Sequence, residues 1–226
     1  MFDEAEFVLS ALPFEEALKF IRNKIPMTED DFARLAREAK IRGFTVADMA
    51  SLDALKDIKD SLTKAIETGQ SLGDWKKSIG DVLKQWDISG YRAETIYRTN
   101  LQTAYQVGRY EQMTDPDILE MRPYWMYVAV MDDRTRPEHA ALNGKVFPAD
   151  DPFWDHWYPP NGYNCRCTVY TLSESELERE GLIVQKGKDF YNRPVKMPDG
   201  SVVQMIPDPN WDFNPGKAGL TNAGLA

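Results

Sequence analysis

The sequence predicts an α+β fold in which a helical N-terminal half precedes a small mixed α/β region of short strands and long loops. Three observations predict it. Apolar residues recur at intervals of three and four through the first half, the period of an amphipathic helix, whereas after residue 120 aromatic and β-branched residues run together without a helical gap. Glycine and proline punctuate the first half at helical intervals and crowd into long connections in the second. With 226 residues, 42% of them hydrophobic and 12% aromatic, the chain can bury a core for one large domain or two small ones. The expected division is 1–115, helical, and 116–226, which holds the strands, a Cys-Arg-Cys corner and an extended tail.

"PFEEALKFIRNK" places Phe14, Ala17, Leu18 and Ile21 on one helix face, and Pro26 stops it. Thr28 with Asp31 resembles a capping box for a second helix, "EDDFARLAREAK", ended by Gly43. After Ser51 the stripe Leu52, Leu55, Ile58, Leu62, Ala65 and Ile66 predicts a longer helix closed by Gly69. Ser71 or Asp74 caps a short helix with Trp75, Ile79, Val82, Leu83 and Trp86 on its apolar side. A last long helix spans about Tyr91 to Met113, with Ile96, Leu101, Ala104 and Val107 inward, before "TDPD" breaks it.

"RPYWMYVAVMD", Arg122 to Asp132, then predicts a strand buried on both faces or at a sheet centre. Gly144 to Phe147 and Cys167 to Ser173 predict two more strands, joined by a loop too long for an ordinary connection. "ESELEREGL" reads as a short helix, and "VKMPDGSVVQM" as a hairpin turning at Asp199-Gly200. The tail from Pro207, rich in Pro, Gly and Asn, is expected to lie extended along a partner or its own domain.

Charge excludes some functions. The 27 Lys and Arg against 36 Asp and Glu give a net charge of −9, spread along the chain, which argues against a broad nucleic-acid-binding surface. No run approaches the roughly 20 apolar residues of a membrane-spanning helix, and the acidic start lacks the basic region of a secretory signal. The expectation is a protein soluble in the cytoplasm with no membrane partner.

Both cysteines lie in "YPPNGYNCRC", and they raise the chief chemical question. Zinc takes four ligands from thiolate, imidazole and carboxylate, and Cys165, Cys167 and His139 supply three. His156, Asp132 or Asp133 is the candidate fourth. The alternative is plain packing, since free cysteines are among the most buried residues. A redox pair is disfavoured because a Cys-x-Cys disulfide closes a strained ring, and a Cys165 nucleophile with His139 as base has no orienting third group in view.

On the long helix, Arg98, Gln102, Tyr105 and Arg109 recur at helical spacing with Thr99 and Asn100 beside them, the pattern of a solvated face. A second reading makes Arg98, Thr99, Asn100 and Arg109 structural polar residues. In it the arginines pair with Asp132, Asp133 or Asp151 and clasp the two halves together. Trp154, Trp157 and Tyr158 form either an aromatic lid over the core or an exposed anchor for a partner.

"IYRTNLQTAYQVGRYEQM", "DDRTRPEHAALNGKVFPADDPFWDHWYPPNGYNCRC" and "WDFNPGKAG", in that order, resemble the Mu F-like minor head proteins of phages, related to head morphogenesis proteins of other tailed phages. "PFEEALKFIRNKI" and the segment from Gly43 to Trp75 resemble that family's N-terminal helical part. The resemblance implies a minor capsid component of a phage or prophage with a structural role and no enzymatic activity. It would serve head assembly, portal or capsid-interior association, or DNA delivery. Its partners would be portal and capsid proteins, and its location the head interior or portal vicinity of the virion after assembly in the host cytoplasm. The related branch often carries a Cys-x-x-Cys and a further His around this corner. Here Arg136 and His139 stand at the first pair and Asn164 precedes Cys165, so the implied zinc site keeps His139, Cys165 and Cys167 as its core. Two rival functions are a metal-dependent hydrolase or nuclease built on His139, His156, Asp132 and Asp133, and an effector module injected with phage DNA.

Overall fold

The computed structural model of the chain describes residues 14–36, 38–197 and 199–221. The fold is α+β. The helical half comprises α1 (Glu15–Arg22), α2 (Glu29–Arg34), α3 (Leu52–Thr68), α4 (Leu72–Ser78), α5 (Gly80–Gln85) and the long α6 (Gly90–Met113). Ser51, Ser71 and Ser89 cap α3, α4 and α6, each accepting a backbone N–H three residues on. Gly69, at φ 63°, ends α3 as its stripe requires. The expected second helix is broken: α2 stops at Arg34, Leu35 turns extended, and a 3-10 turn at Glu38–Arg42 replaces its last turns. Two-residue strands β1 (Ile25–Pro26) and β2 (Gly43–Phe44) pair in parallel around it. The Lys24 ammonium, buried there, donates to the Ile41 and Gly43 carbonyls at 3.0 and 2.9 Å.

The second half begins with α7 (Pro116–Met121), formed where "TDPD" signalled only a break, because Asp115 caps it and Pro116 occupies its first turn. A three-stranded antiparallel sheet follows in the order β4 (Val146–Pro148), β3 (Tyr124–Val128), β5 (Thr168–Leu172). β3 is central, as its composition predicts, though shorter and fully buried on one face only, through Trp125 and Tyr127. Helix α8 (Pro137–Leu142), unforeseen in the sequence, carries His139, and the single turn α9 (Trp154–Trp157) sits inside the long loop. Ser173 and Glu176 form a reciprocal capping box on α10 (Glu174–Glu180). Strands β6 (Pro194–Lys196) and β7 (Val202–Gln204) make the expected hairpin, turned at Gly200 with φ 88°.

The tail is a correction to the expected extended segment. α11 (Pro215–Thr221) lies across α6. Asn214 caps it by accepting the Lys217 N–H at 2.9 Å, and a Cβ on Gly216 would sit 2.3 Å from the Tyr110 ring. Only glycine lets the two helices meet there. Residues 222–226 of that tail lie outside the described ones.

Two cores flank α6. One gathers Leu18, Ile21, Leu55, Ile58, Leu62 and Trp75 around Ala93 and Ala104, while the other gathers Trp125, Tyr127, Phe147, Trp154, Trp157 and Tyr158 around Met113. The aromatic loop is therefore a lid, with Trp154, Trp157 and Tyr158 each 2% exposed or less.

The polar stripe of α6 is the contact between the halves. β5 has β3 on one side only, so the carbonyls of Cys167, Val169 and Thr171 face away from the sheet. Gln102 Nε2 donates to Cys167 O at 2.6 Å, Arg109 Nε to Val169 O at 2.7 Å and Arg122 Nη2 to Thr171 O at 2.7 Å. Gln106 Nε2 adds a bond to Thr168 Oγ1 at 3.0 Å, and Tyr158 donates its hydroxyl to Gln106 O at 3.0 Å. Side chains of α6, with Arg122 just past α7, thus occupy the strand edge where another strand would otherwise add.

Gln102→Ala with Arg109→Ala is expected to lower unfolding free energy by about 1–3 kcal/mol per abandoned carbonyl, read by denaturant titration. Arg98→Ala, which removes only an exposed pair with Glu94 on the same helix, is expected to stay within about 0.5 kcal/mol. A second expectation concerns acid. Ser173 through its backbone N–H and hydroxyl, and Arg122 through its guanidinium, lower the Glu176 carboxyl from 4.5 to about 2. A depressed carboxyl stabilises above its unfolded value, so this contribution is lost as pH falls from about 4.5 towards 2. Glu176→Gln is expected to flatten the stability profile in that window; an unchanged acid limb would refute the assignment.

Candidate metal centre

The turn "PPNG" sets the corner. Pro159-Pro160 is a cis peptide, and the fully buried Asn161 behind it donates through Nδ2 to the His156 and Tyr158 carbonyls, both at 3.3 Å. Its Oδ1 accepts the Tyr127 hydroxyl at 3.1 Å. Gly162 passes beneath the Arg136–Asp208 ion pair, where a Cβ would come within 2.2 Å of the Asp208 carboxylate. Asn164 then takes a left-handed conformation at φ 57°, and α6 holds it: its N–H donates to Thr99 Oγ1 at 3.2 Å and its Nδ2 to Thr95 Oγ1 at 3.1 Å. That path delivers both cysteine side chains inward.

There they meet His139 from α8. His139 Nδ1 lies 3.3 Å from Cys167 Sγ and 3.7 Å from Cys165 Sγ, and the three donor atoms fall within 4.8 Å of one another. None of the three residues is more than 4% exposed. A nitrogen at about 2.0 Å and a sulfur at about 2.3 Å from one tetrahedral zinc stand about 3.5 Å apart, which the two observed separations bracket. The donor chemistry and spacing therefore fit zinc. Tyr127 and Trp157 present their rings edge to face against the imidazole, with centroids 6.5 and 6.0 Å away. His139 Nε2 is buried with no hydrogen-bond partner among the described residues, so the outer contact that usually orients a ligand imidazole is missing.

The electrostatics suit one negative charge shared by two sulfurs. A hydrogen bond from Cys167, and then His139, push the Cys165 thiol well down against its burial. That charge, with burial, pushes the Cys167 thiol up. Burial likewise raises the Tyr127 phenol, keeping it a neutral donor to Asn161.

The expected fourth ligands are elsewhere. Asp132 grips Arg166 with both oxygens, at 2.6 and 2.5 Å, and that guanidinium holds its carboxyl far below the ordinary range. The residue between the cysteines thus points outward and ties the corner to the turn before α8. Asp133 is exposed. His156 Nδ1 meets Asp212 at 2.7 Å and its ring stacks on Tyr191 at 3.8 Å. Among the described residues no fourth His, Cys, Asp or Glu joins the trio, and His139, His156, Asp132 and Asp133 do not form one cluster. The hydrolase reading loses its constellation.

The clasp between halves is real, yet its chemistry differs from the expected ion pairs. Arg98 pairs with Glu94 at 2.6 Å, Asn100 donates to Ile96 O, and Asp151 accepts the N–H groups of Phe153 and Gly187. Arg109 reaches a carbonyl and lies over the Tyr170 ring at 5.3 Å. Thr99 serves the corner through Asn164. Sequence reasoning missed Thr95, Gln106 and Asn161. The available signal was uncharged donors, Thr95, Thr99, Gln102 and Gln106, where a solvated helix face carries Lys and Glu.

A strand edge lashed to a long helix, with a buried Cys-Cys-His corner beside it, interlocks the two halves of the fold. Residues 56–170, from α3 through β5, match the family described as Phage Mu protein F like protein. The chain belongs to that family. It is 38% identical over 244 residues to the "Putative capsid assembly protein F" of Escherichia phage Mu, covering 92% of this chain and 55% of the relative. It is 40% identical over 159 residues to the Mu-like prophage FluMu F protein of Haemophilus influenzae, covering 64% of this chain and 38% of that one. An uncharacterized protein of Methanocaldococcus jannaschii is 32% identical over 111 residues, 49% of this chain and 16% of its own length. The chain thus spans about half or less of these relatives. No solved structure gives a significant match.

Proposed function

We propose that the chain acts in phage head morphogenesis as a structural component that binds portal or capsid proteins. The observation that carries this reading is the alignment of 92% of the chain with the phage Mu relative named for capsid assembly. The geometry is consistent with it. The side chains that chemistry would recruit are spent on internal contacts: Asp132 on Arg166, His156 on Asp212, and Arg109 on a strand carbonyl. Net charge of −9 disfavours clinging to packaged DNA, so a place near the portal or inner capsid surface is a matter of protein contacts. Among the described residues no helix is long and apolar enough to cross a membrane.

His139 Nδ1, Cys165 Sγ and Cys167 Sγ would hold zinc in this reading. Bound there, the ion would neutralise the thiolates and cross-link α8 to the strand-proximal corner. The protein's own part is to keep the donors dry and in place through Asn161, Tyr127 and the α6 stripe.

Deleting the coding sequence from a phage or prophage that makes this protein is expected to abolish DNA-filled heads, with the chain recovered in purified heads on complementation. Normal titres of filled heads without it would overturn the assignment. Elemental mass spectrometry of the purified protein is expected to give one zinc per chain. That zinc should be lost in Cys165→Ser with Cys167→Ser, together with a fall in Tm; wild type without stoichiometric metal would make the corner a packing device.

A further inference from the structure

A metal-ligating imidazole ordinarily gives its second ring nitrogen to an outer partner, and His139 does not. Its Nε2 is buried without a hydrogen-bond partner among the described residues, and the rings of Tyr127 and Trp157 stand edge to face against it. The outer donors of this corner are on the sulfurs instead. Asn161 bonds to Cys165 through its backbone N–H, and Tyr127 to Cys167 through its hydroxyl. Each sulfur thus has a donor of its own.

Both donors are held from outside the ligand set. Tyr127 lies in the central strand, where its N–H donates to Lys145 O and its carbonyl accepts the Gly144 N–H, both at 2.9 Å. Its side chain is fully buried, with two acceptors beside the hydroxyl: Asn161 Oδ1, at 3.1 Å, and Cys167 Sγ. One proton serves both. Asn161 is pinned through Nδ2 to the His156 and Tyr158 carbonyls, and its own carbonyl accepts the Asp208 N–H at 3.1 Å. Beside a neutral thiol the amide oxygen is the better acceptor, whereas a metal-bound thiolate carries charge and competes for the proton.

We propose that Tyr127 is a positioning residue for the metal: once the ion is bound, its hydroxyl donates to the Cys167 sulfur and, with the Asn161 N–H on Cys165, fixes the direction of both thiolates. The inference rests on the zinc reading above. The two donors take the place of the partner that His139 Nε2 lacks. They stabilise the charged sulfurs that the ion requires without adding a charge of their own to a buried site. Tyr127 also couples the ion to the sheet, since the strand that carries it is the one paired on both sides.

The test loads the full chain with cobalt(II), whose sulfur-to-metal charge-transfer bands report the donor strength of the thiolates, and measures zinc affinity by competition with a chelating indicator. Tyr127→Phe keeps the ring and removes the hydroxyl. It is expected to move the charge-transfer band to longer wavelength, because a sulfur relieved of its hydrogen bond gives up an electron more readily, and to weaken zinc binding about tenfold. Tyr158→Phe is the matched control. It removes another buried hydroxyl of the same core, one that bonds the Gln106 carbonyl, so it should lower Tm and leave band and affinity unchanged. In wild type loaded with cadmium-113, the Tyr127 hydroxyl proton is expected to show scalar coupling to the metal through Cys167 Sγ, a readout that stands even where a variant fails to fold. Wild type that takes up none of these metals would remove the zinc reading and this proposal with it. Stoichiometric binding by wild type would instead leave the zinc site standing and overturn the proposal alone if Tyr127→Phe changed neither band nor affinity, if Tyr158→Phe shifted them equally, or if the Tyr127 hydroxyl showed no coupling.

Discussion

The outward carbonyls of β5 are the constraint on which the rest of the structure depends. A short edge strand exposes backbone acceptors that must be satisfied or left open to another chain. Here Gln102 and Arg109 of α6, with Arg122 just past α7, satisfy three alternate ones, and α6 also carries Thr95 and Thr99 to Asn164. Each neutral hydrogen bond is worth only about 1 kcal/mol net, but an abandoned buried acceptor costs more. The row therefore fixes the register of helix against strand. Because α6 also packs with α1, α3 and α4 on its other side, one element orients both cores.

The Cys-Arg-Cys corner inherits its shape from that register. Gln102 holds the Cys167 carbonyl, the two threonines hold Asn164, and Arg166 is drawn outward by Asp132, which leaves the cysteine side chains to face His139. The neighbouring Cys167 thiol and the His139 imidazole favour ionisation of Cys165 against its burial. Three converging donors at zinc-like separations follow from helix docking together with the Asn161 network.

Much of the helical half was legible because burial there repeats with the helix: Leu55, Ile58 and Leu62 face one core at regular spacing, and Ser51, Ser71 and Gly69 mark ends through local bonds. The second half was legible in composition but less so in detail. α7, α8 and α9 span six, six and four residues, too short for a period to show. α11 forms because Gly216 and Gly219 fit against Tyr110 and Val107, a partnership no local pattern announces. At the candidate site the trio of donors was readable from residue type, whereas the fates of Asp132 and His156 were not, since Arg166 and Asp212 compete for them. The α6 stripe was visible as a pattern, and its role depended on knowing which strand edge lay opposite.

The side-chain row between α6 and β5 interlocks the two halves of this member of the Phage Mu protein F like family. Native-state hydrogen exchange tests the central claim most directly. If the side-chain row joins α6 to β5, amides of residues 101–109 and 168–172 should open together, with one free energy close to that of global unfolding. Exchange of the β5 amides through a separate opening several kcal/mol easier than that of α6 would contradict it.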